Sequence, residues 1–307
     1  MPLLLAMIVT ALGSGCSIRK MAVNQLGDAL AGSSTTFASD EDPELVRQAV
    51  PFSLKLIEGL LSESPRHPGL LLAATKGFTQ YSYAFVQLDA DEIEDRDLAA
   101  ATAMRDRAGR LYVRARNYGL RGLEGRHPGF GKLLRSDAAA AARLLERDEV
   151  PVLYWTAVSW AAAINLAKDD PDLLADLPAV EALVSRALQL QEDYDSGGLR
   201  TFLISFESTR KSQSGELAAR IRNHYERALE LAKGTLAGPL VAYAEVTSVK
   251  NQNVAEFESL LKQALSIDVN ARPEYRLENQ LMQRRAKWLL GRKDQLFLTP
   301  DKNDAGK

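Results

Sequence analysis

A short helical phrase that recurs in the second half of the chain constrains its fold most strongly. The phrase ends in Ala-Leu, one further residue, and Leu or Ile. It occupies residues 184–190, 225–231 and 261–267. Its alanines, Ala187, Ala228 and Ala264, are 41 and 36 residues apart. Alanine lets two helices approach closely, and the flanking leucines fill the groove between them. The recurrence therefore predicts helical hairpins that stack on one another.

The interval between these helices resembles that of TPR repeats, in which the second helix of each hairpin returns about every 34 residues. Ala115 lies 72 residues before Ala187, which is two intervals of 36. The Trp, Gly and Tyr of the TPR first helix are not regularly placed, so the repeats are degenerate. Leu and Ala, both strong helix formers, supply 90 of the 307 residues. No alternating β-branched run is long enough to indicate a sheet. We predict an all-α, TPR-like helical-hairpin solenoid.

Proline marks several expected helix starts. Asp42-Pro43-Glu44 and Asp170-Pro171-Asp172 combine an N-cap Asp with Pro at the first helical position, and Arg272-Pro273-Glu274 shares the Pro–acid pair. The tetrapeptide Arg-His-Pro-Gly occurs twice, which places His67 and His127 before prolines at helix ends. Such turn positions are usually exposed, and we expect both histidines to be exposed.

The first residues resemble a bacterial lipoprotein signal. Residues 1–18 carry no charged side chain, and the apolar run Leu3–Leu12 has the length of a signal-peptide core. Small residues follow, and then Cys16, as in a lipobox, although Gly13 stands where that pattern prefers Leu. The alternative is a buried cysteine near the start of a cytosolic helix. We predict a signal peptide at 1–15 and lipidation of Cys16; Ser17 at the next position favours the periplasmic face of the outer membrane.

Charge and motifs exclude several classes of function. The 38 basic and 40 acidic residues give a net charge of −2, which argues against binding nucleic acid. A single cysteine excludes a disulfide framework and a thiolate zinc site, and three histidines leave little for metal binding. The sequence contains no GxSxG, no P-loop and no HExxH. We expect a protein that is not an enzyme and holds neither metal nor cofactor.

An aromatic cluster follows Gly77. On a helix, Phe78, Tyr81 and Phe85 fall at positions i, i+3 and i+7 and form one stripe. One interpretation is core packing, and the other is the wall of a ligand pocket, since tyrosine combines an apolar ring with a hydrogen-bond donor. On the second interpretation the ligand-binding candidates are Phe78, Tyr81, Tyr83 and Tyr154.

Residues 150–167 contain no charged side chain over 18 positions, which is the threshold for a membrane-spanning helix. Pro151, Thr156, Ser159 and Asn165 argue against a span. We favour a helix of a central repeat that is buried on nearly all sides.

Residues 89–97 hold six acids in nine positions. The segment lacks the Gly and the distal Glu of a calcium-binding loop. It predicts a solvated linker or the acidic start of the next helix.

Several longer phrases together resemble one family, the TatT component of TPR-protein-associated TRAP transporters. They include Gly15-Cys16-Ser17 and the stretches 22–30, 37–40, 77–81, 118–123, 153–155, 175–178 and 283–289. The resemblance runs from about Cys16 to Phe297. It implies a periplasmic lipoprotein of TPR hairpins with additional flanking helices, able to form a homotrimer with an internal cavity.

The same resemblance implies a partner and a role. The expected partner is the periplasmic solute-binding (P) component of a TRAP transporter, and the expected ligand is a small hydrophobic molecule or organic acid. We expect a single domain at 16–298 and a disordered tail at 299–307. Two other functions remain open from the sequence. One is a general periplasmic TPR adaptor in envelope assembly, and the other is a cytosolic TPR co-chaperone.

Overall fold

The computed structural model describes residues 24–29, 32, 34–209 and 214–298, and most of them are helical. No strand occurs within these residues, so the predicted all-α class is confirmed. The predicted signal peptide at 1–15, Cys16 and the tail at 299–307 lie outside the described residues.

The first half of the chain forms a series of helices in which each long member packs against the next. Their bounds are α1 Ser34–Ala38, α2 Pro43–Glu63, α3 Pro68–Ser82, π1 Tyr83–Gln87, α4 Leu88–Ile93, α5 Leu98–Arg126, α6 Phe130–Ser136, α7 Ala138–Arg143 and α8 Val150–Leu166. Helix α2 packs on α3, α3 on α5, and α5 on α8. Helix α8 also touches α3, so alternate helices of the series are in contact.

The second half continues the series with shorter helices. Their bounds are α9 Pro171–Ala175, α10 Leu177–Leu190, α11 Gly198–Ser208, α12 Ser214–Ala232, α13 Gly238–Tyr243, π2 Ala244–Ser248, α14 Val254–Ser266, α15 Arg276–Gly291 and α16 Lys293–Leu296. Short 3₁₀ turns lie at Arg147–Glu149, Tyr194–Gly197 and Pro273–Tyr275. Helix α11 packs on α12, α13 on α14, and α14 on α15.

The alanines of the recurring phrase occupy the positions that helix packing requires. Ala187 on α10, Ala228 on α12, Ala264 on α14 and Ala115 on α5 are all fully buried. A larger side chain at any of them would hold the neighbouring helix away. The recurrence therefore identified buried positions on four helices.

Two of the three proline signatures cap α-helices as expected. The Asp42 carboxylate accepts hydrogen bonds from the N–H groups of Glu44 and Leu45 at 2.9 and 3.1 Å. Asp170 caps α9 in the same way. Pro273 instead begins a 3₁₀ turn that leads into α15.

The expectation that both histidines are exposed was wrong for His67. Its side chain is 7% exposed, and its Nδ1 accepts the Leu70 N–H at 3.2 Å at the start of α3. The imidazole therefore caps the N-terminus of α3, and this hydrogen bond keeps it inside the protein. His127 is partly buried and lies 2.9 Å from a carboxylate oxygen of the buried Glu149.

The apolar stretch that begins at Val150 is the buried central helix that we favoured over a membrane span. Helix α8 packs against α3, α5 and α10. Both of its tryptophans, Trp155 and Trp160, are buried. None of the described helices is long and apolar enough to cross a bilayer.

The helical series closes on itself because α15 returns to the N-terminal helices. Arg276 donates to the backbone carbonyl of Ser39 at 2.6 Å, and Gln280 donates to that of Glu41 at 3.0 Å. One hydrophobic cluster also joins Phe85 and Leu88 to Phe257 and Leu261. The closed arrangement surrounds a central space.

The acidic segment at 89–97 is not a solvated linker, because its carboxylates pair with arginines from three directions. Arg105 on α5 pairs with Asp91 and Glu94 at 2.9 and 2.7 Å. Arg284 on α15 pairs with Asp89 and Glu92 at 2.7 and 2.6 Å. The alternative expectation holds for Asp97 alone, which caps α5 by accepting from the N–H of Ala100.

Candidate functional site

A cavity of about 880 Å³ lies at the centre of the closed helical series. Its wall is supplied mainly by α1, α2, α3, π1, α8, α11, α13 and α15, with single residues from α5, α9, α10 and π2. Ligand pockets commonly measure roughly 300 to 1,000 Å³, so the cavity has room for a small organic molecule.

Three of the four aromatic candidates line this cavity. They are Tyr81, Tyr83 and Tyr154. Phe78 is elsewhere: it is 4% exposed, and its ring stacks on that of Tyr118 with 6.0 Å between centroids. Phe78 thus belongs to the packing between α3 and α5. The predicted stripe of aromatic residues is divided between the hydrophobic core and the cavity wall.

Two π-helical segments border the cavity. In π1 the N–H of Leu88 bonds to the carbonyl of Tyr83, and in π2 the N–H of Val249 bonds to the carbonyl of Ala244. Each bond spans five residues instead of four, which rotates the side chains relative to an α-helix. Tyr83 of π1 and Glu245 of π2 lie on the cavity wall.

Tyr83 lies deep in the protein, yet part of its side chain is exposed. It is 37% exposed and lines the cavity. Burial within the protein raises the pKa of Tyr83 to about 12, against the opposing effect of Arg285. Its phenol is therefore neutral at pH 7 and able to donate a hydrogen bond.

Tyr154 and Trp155 of α8 offer two further donors. Tyr154 is 7% exposed, and its hydroxyl makes no hydrogen bond with any residue that the structure describes. The Trp155 indole N–H is likewise buried without a hydrogen bond of normal geometry in the described chain, although Tyr194 lies close by. Burial, followed by the charge of Asp195, raises the pKa of Tyr154 well above 10. Both groups remain donors at neutral pH.

Two ionisable side chains of opposite charge lie near these donors. The Lys76 Nζ lies over the Trp155 ring, 5.7 Å from its centroid. Glu278 on α15 is exposed where it borders the cavity, yet the protein around it removes much of the bulk solvent. That desolvation, followed by the negative charge of Asp195, raises its pKa to about 7. Lys76 and Arg272 oppose that rise. Lys76 and Glu278 are within electrostatic reach of each other but do not form an ion pair.

A tight loop brings Asp195 to the same part of the cavity. Asp195, Ser196 and Gly197 all have positive φ angles, at 53°, 51° and 89°. Positive φ is uncommon for residues other than glycine, so other contacts must hold this loop in place. Arg272 and Tyr275 both donate to Ser196 Oγ at 3.0 Å. The loop fixes Asp195 beside the cavity.

The close approach of Gly198 shapes the same end of the cavity. A Cβ at Gly198 would lie 3.2 Å from Tyr154 Oη and 3.3 Å from Asp195 Cβ. The absence of a side chain therefore leaves space around the Tyr154 hydroxyl. We call Lys76, Tyr154, Trp155, Asp195 and Glu278 the polar end of the cavity.

The arrangement is one for binding. The polar end presents N–H and O–H donors, one ammonium and two carboxylates, and the rest of the wall is largely apolar. Groups of three or more His, Cys, Asp or Glu side chains suited to a metal ion are absent from the described residues.

Three residues of the polar end, Lys76, Asp195 and Glu278, were not predicted from the sequence. Lys76 is a lone charge within the apolar start of α3, and Glu278 lies between Leu277 and the buried pair Leu281 and Met282. The available signal was a charge one helical turn from buried residues, although Glu278 itself is exposed and Lys76 is only partly buried. Asp195 carried no such signal, since its place depends on the loop.

The pKa of Glu278 leads to a prediction about stability. The carboxyl ionises near pH 4.5 when unfolded and near pH 7 when folded, so the folded protein binds more protons between those values. This group's contribution to the free energy of unfolding is full below pH 4.5 and is lost as the pH rises through 7. Glu278→Gln should therefore be as stable as the wild type at pH 4. At pH 8 we expect it to be more stable by about 1–2 kcal/mol, allowing for screening in the cavity.

Urea unfolding of both proteins at several pH values measures this effect. Glu226→Gln provides the control, because Glu226 is exposed and pairs only with Arg222 on its own helix. A difference between wild type and Glu278→Gln that does not grow from pH 5 to pH 8 would contradict the raised pKa.

Comparison with known proteins finds a family that the chain matches. The sequence model of a family described as "TRAP transporter T-component" (TAtT) matches residues 39–297. A protein of Treponema pallidum (strain Nichols), named "Uncharacterized protein", is 28% identical over 303 residues, which cover 93% of this chain and 94% of that relative.

Proposed function

The chain belongs to the TRAP transporter T-component family, and on this premise we propose that it is the lipid-anchored periplasmic accessory component of such a transporter. In this role it docks the solute-binding (P) component and holds a small hydrophobic or organic-acid ligand in its central cavity. Its contribution is binding, without catalysis.

The observation that carries the proposal is the extent of the family match. Residues 39–297 include all of α2 to α15, and so nearly the whole wall of the cavity. Family membership therefore concerns the part of the chain that has room for a ligand. Tyr81, Tyr83 and Tyr154 are the proposed ligand contacts, and Phe78 is a supporting residue behind the wall.

The anchoring part of the proposal depends on the sequence. Removal of residues 1–15 and lipidation of Cys16 would hold residues 16–298 at the periplasmic face of the outer membrane, with 299–307 as a tail. An acyl anchor keeps a folded domain beside a membrane without a transmembrane helix. We further propose a homotrimer, as the family resemblance implies.

Crosslinking in intact cells tests this function directly. A tagged copy is crosslinked, purified from the envelope and analysed by mass spectrometry. We expect a solute-binding protein and TRAP permease subunits to be recovered with it. Recovery of cell-wall or envelope-assembly proteins in their place would support the general adaptor.

Variants separate the parts of the proposal. Cys16→Ser should lose incorporation of a radiolabelled fatty acid, and retained label would contradict anchoring through Cys16. Tyr81→Ala and Tyr154→Ala should reduce ligand uptake and leave the crosslinked partner in place, because both side chains lie inside the cavity. Unchanged uptake in both would remove these residues as ligand contacts.

A further inference from the structure

We propose that the polar end of the cavity recognises a zwitterion with an apolar body, whose carboxylate binds Lys76 and whose ammonium binds Glu278 and Asp195. The inference rests on the proposed function, because it names the chemical class of the ligand that the cavity holds. It follows from two opposite charges at the cavity wall, those of Lys76 and Glu278, which form no ion pair or hydrogen bond with any described residue.

Lys76 is the first of these groups. Elsewhere the chain pairs the cations that it withdraws from solvent: the buried Arg285 contacts two carboxylates, and so does the partly exposed Arg284. Lys76 makes no ion pair or hydrogen bond with any described residue; its Nζ lies over the Trp155 ring, and Glu278 attracts it from a distance longer than that of an ion pair. A cation withdrawn from bulk solvent is costly unless it is paired. A ligand carboxylate beside Lys76 would supply the missing partner, and it would also accept the Trp155 N–H, whose contact with Tyr194 is not a hydrogen bond of normal geometry.

Glu278 is the second group. Its carboxylate accepts no hydrogen bond from the described residues, although a Cβ at Gly238 would lie 3.4 Å from Glu278 Oε1. Asp195 brings a second negative charge to the same place. An ammonium donates three hydrogen bonds and would satisfy both carboxylates. The faces of Tyr154 and Trp155 offer further attraction to a cation.

The mixture of charges selects among ligand classes. A simple carboxylic acid would pair with Lys76 but face two carboxylates, and a simple amine would pair with the carboxylates but face Lys76. A zwitterion satisfies both sets, since Lys76 and Glu278 stand apart without contact. The apolar remainder of the wall, from Val46, Val50 and Leu54 to Leu281 and Met282, fits a hydrocarbon body.

Three probes with the same hydrocarbon chain test this inference: 2-aminododecanoic acid, dodecanoic acid and dodecylamine. Their binding to the purified protein is measured by calorimetry at pH 8, below the concentrations at which they form micelles. We expect the zwitterion to bind at least tenfold more tightly than either of the others. In Lys76→Met the zwitterion should no longer bind more tightly than dodecylamine. In Glu278→Gln it should no longer bind more tightly than dodecanoic acid. Lys250→Met, which removes an exposed cation, should change nothing.

The possible outcomes separate a failure of this inference from a failure of the proposed function. Equal binding of the three probes, or tightest binding of dodecanoic acid, would overturn the zwitterion inference and leave a ligand-binding cavity. Failure of all three probes to bind would overturn both the inference and the ligand-holding part of the proposed function. Thermal unfolding of each variant confirms that loss of binding is not loss of fold.

Discussion

Arg285→Met should destabilise the protein by about 3 kcal/mol or more, because it removes the centre of a buried ionic network. Arg285 is buried on α15 and pairs with Asp91 of α4 at 3.0 Å and with Glu245 of π2. Its guanidinium also lies 4.2 Å from the centroid of the Trp288 ring. Burial disfavours its charge, but Glu245 and Asp91 hold the pKa of Arg285 above its ordinary value.

The loss should come mainly from the carboxylate that Arg285 leaves behind. Asp91 keeps a second cation, since Arg105 contacts it at 2.9 Å. The Glu245 carboxylate keeps no other ion pair with a described residue. An unpaired carboxylate at the cavity wall is costly. Adding Glu245→Gln to Arg285→Met should therefore recover part of the lost stability, which a double-mutant cycle measures.

Arg292→Met is the matched control. Arg292 follows α15, lies 4.7 Å from the centroid of the same Trp288 ring and pairs with Asp95 of the same acidic segment at 3.0 Å. Asp95 is half exposed, so solvent screens the pair and its loss should cost less than about 1 kcal/mol. Equal midpoints of urea unfolding for the two variants would show that Arg285 has no special role.

The ion pairs of this network could not be predicted from the sequence. The acidic segment suggested a solvated linker because, apart from Arg105 on the next helix, the arginines that neutralise it lie far away in the sequence. Arg284 is separated from Asp89 by 195 positions. The recurring alanines, in contrast, belong to patterns within single helices, and all of them are buried. Local patterns thus identified buried helix positions, and the closure that forms the cavity depended on distant pairs.

Likewise, only part of the candidate site could be predicted from the sequence. Tyr81 and Tyr83 were found because aromatic residues cluster in the sequence, but the same pattern also included Phe78. Spacing alone does not distinguish the face of α3 toward α5 from the face toward the cavity. Asp195 reaches the site through three consecutive residues with positive φ, which composition does not reveal. From the sequence, Glu278 could be recognised only as a charge one helical turn before the apolar pair Leu281 and Met282.

Gly119→Ala should destabilise the protein by about 3 kcal/mol, although alanine favours helices more than glycine does. Gly119 lies where α5 crosses α3 and α8. A Cβ there would overlap Thr156 Oγ1 and lie 2.9 Å from Thr156 Cβ and 3.1 Å from Thr75 Cγ2. Both threonines are fully buried and have no room to move. The three helices would have to separate at the wall of the cavity.

Gly109→Ala, on the same helix, isolates that steric cause. A Cβ at Gly109 meets nothing within 4 Å, so the change should stabilise the protein by up to about 1 kcal/mol. Thr156→Ala removes the overlapping oxygen, and its combination with Gly119→Ala should restore part of the loss. Thermal unfolding should place Gly119→Ala several degrees below the wild type and Gly109→Ala at or above it. A Gly119→Ala protein as stable as the Gly109→Ala protein would mean that α5 and α8 are not in the close contact on which the cavity wall depends.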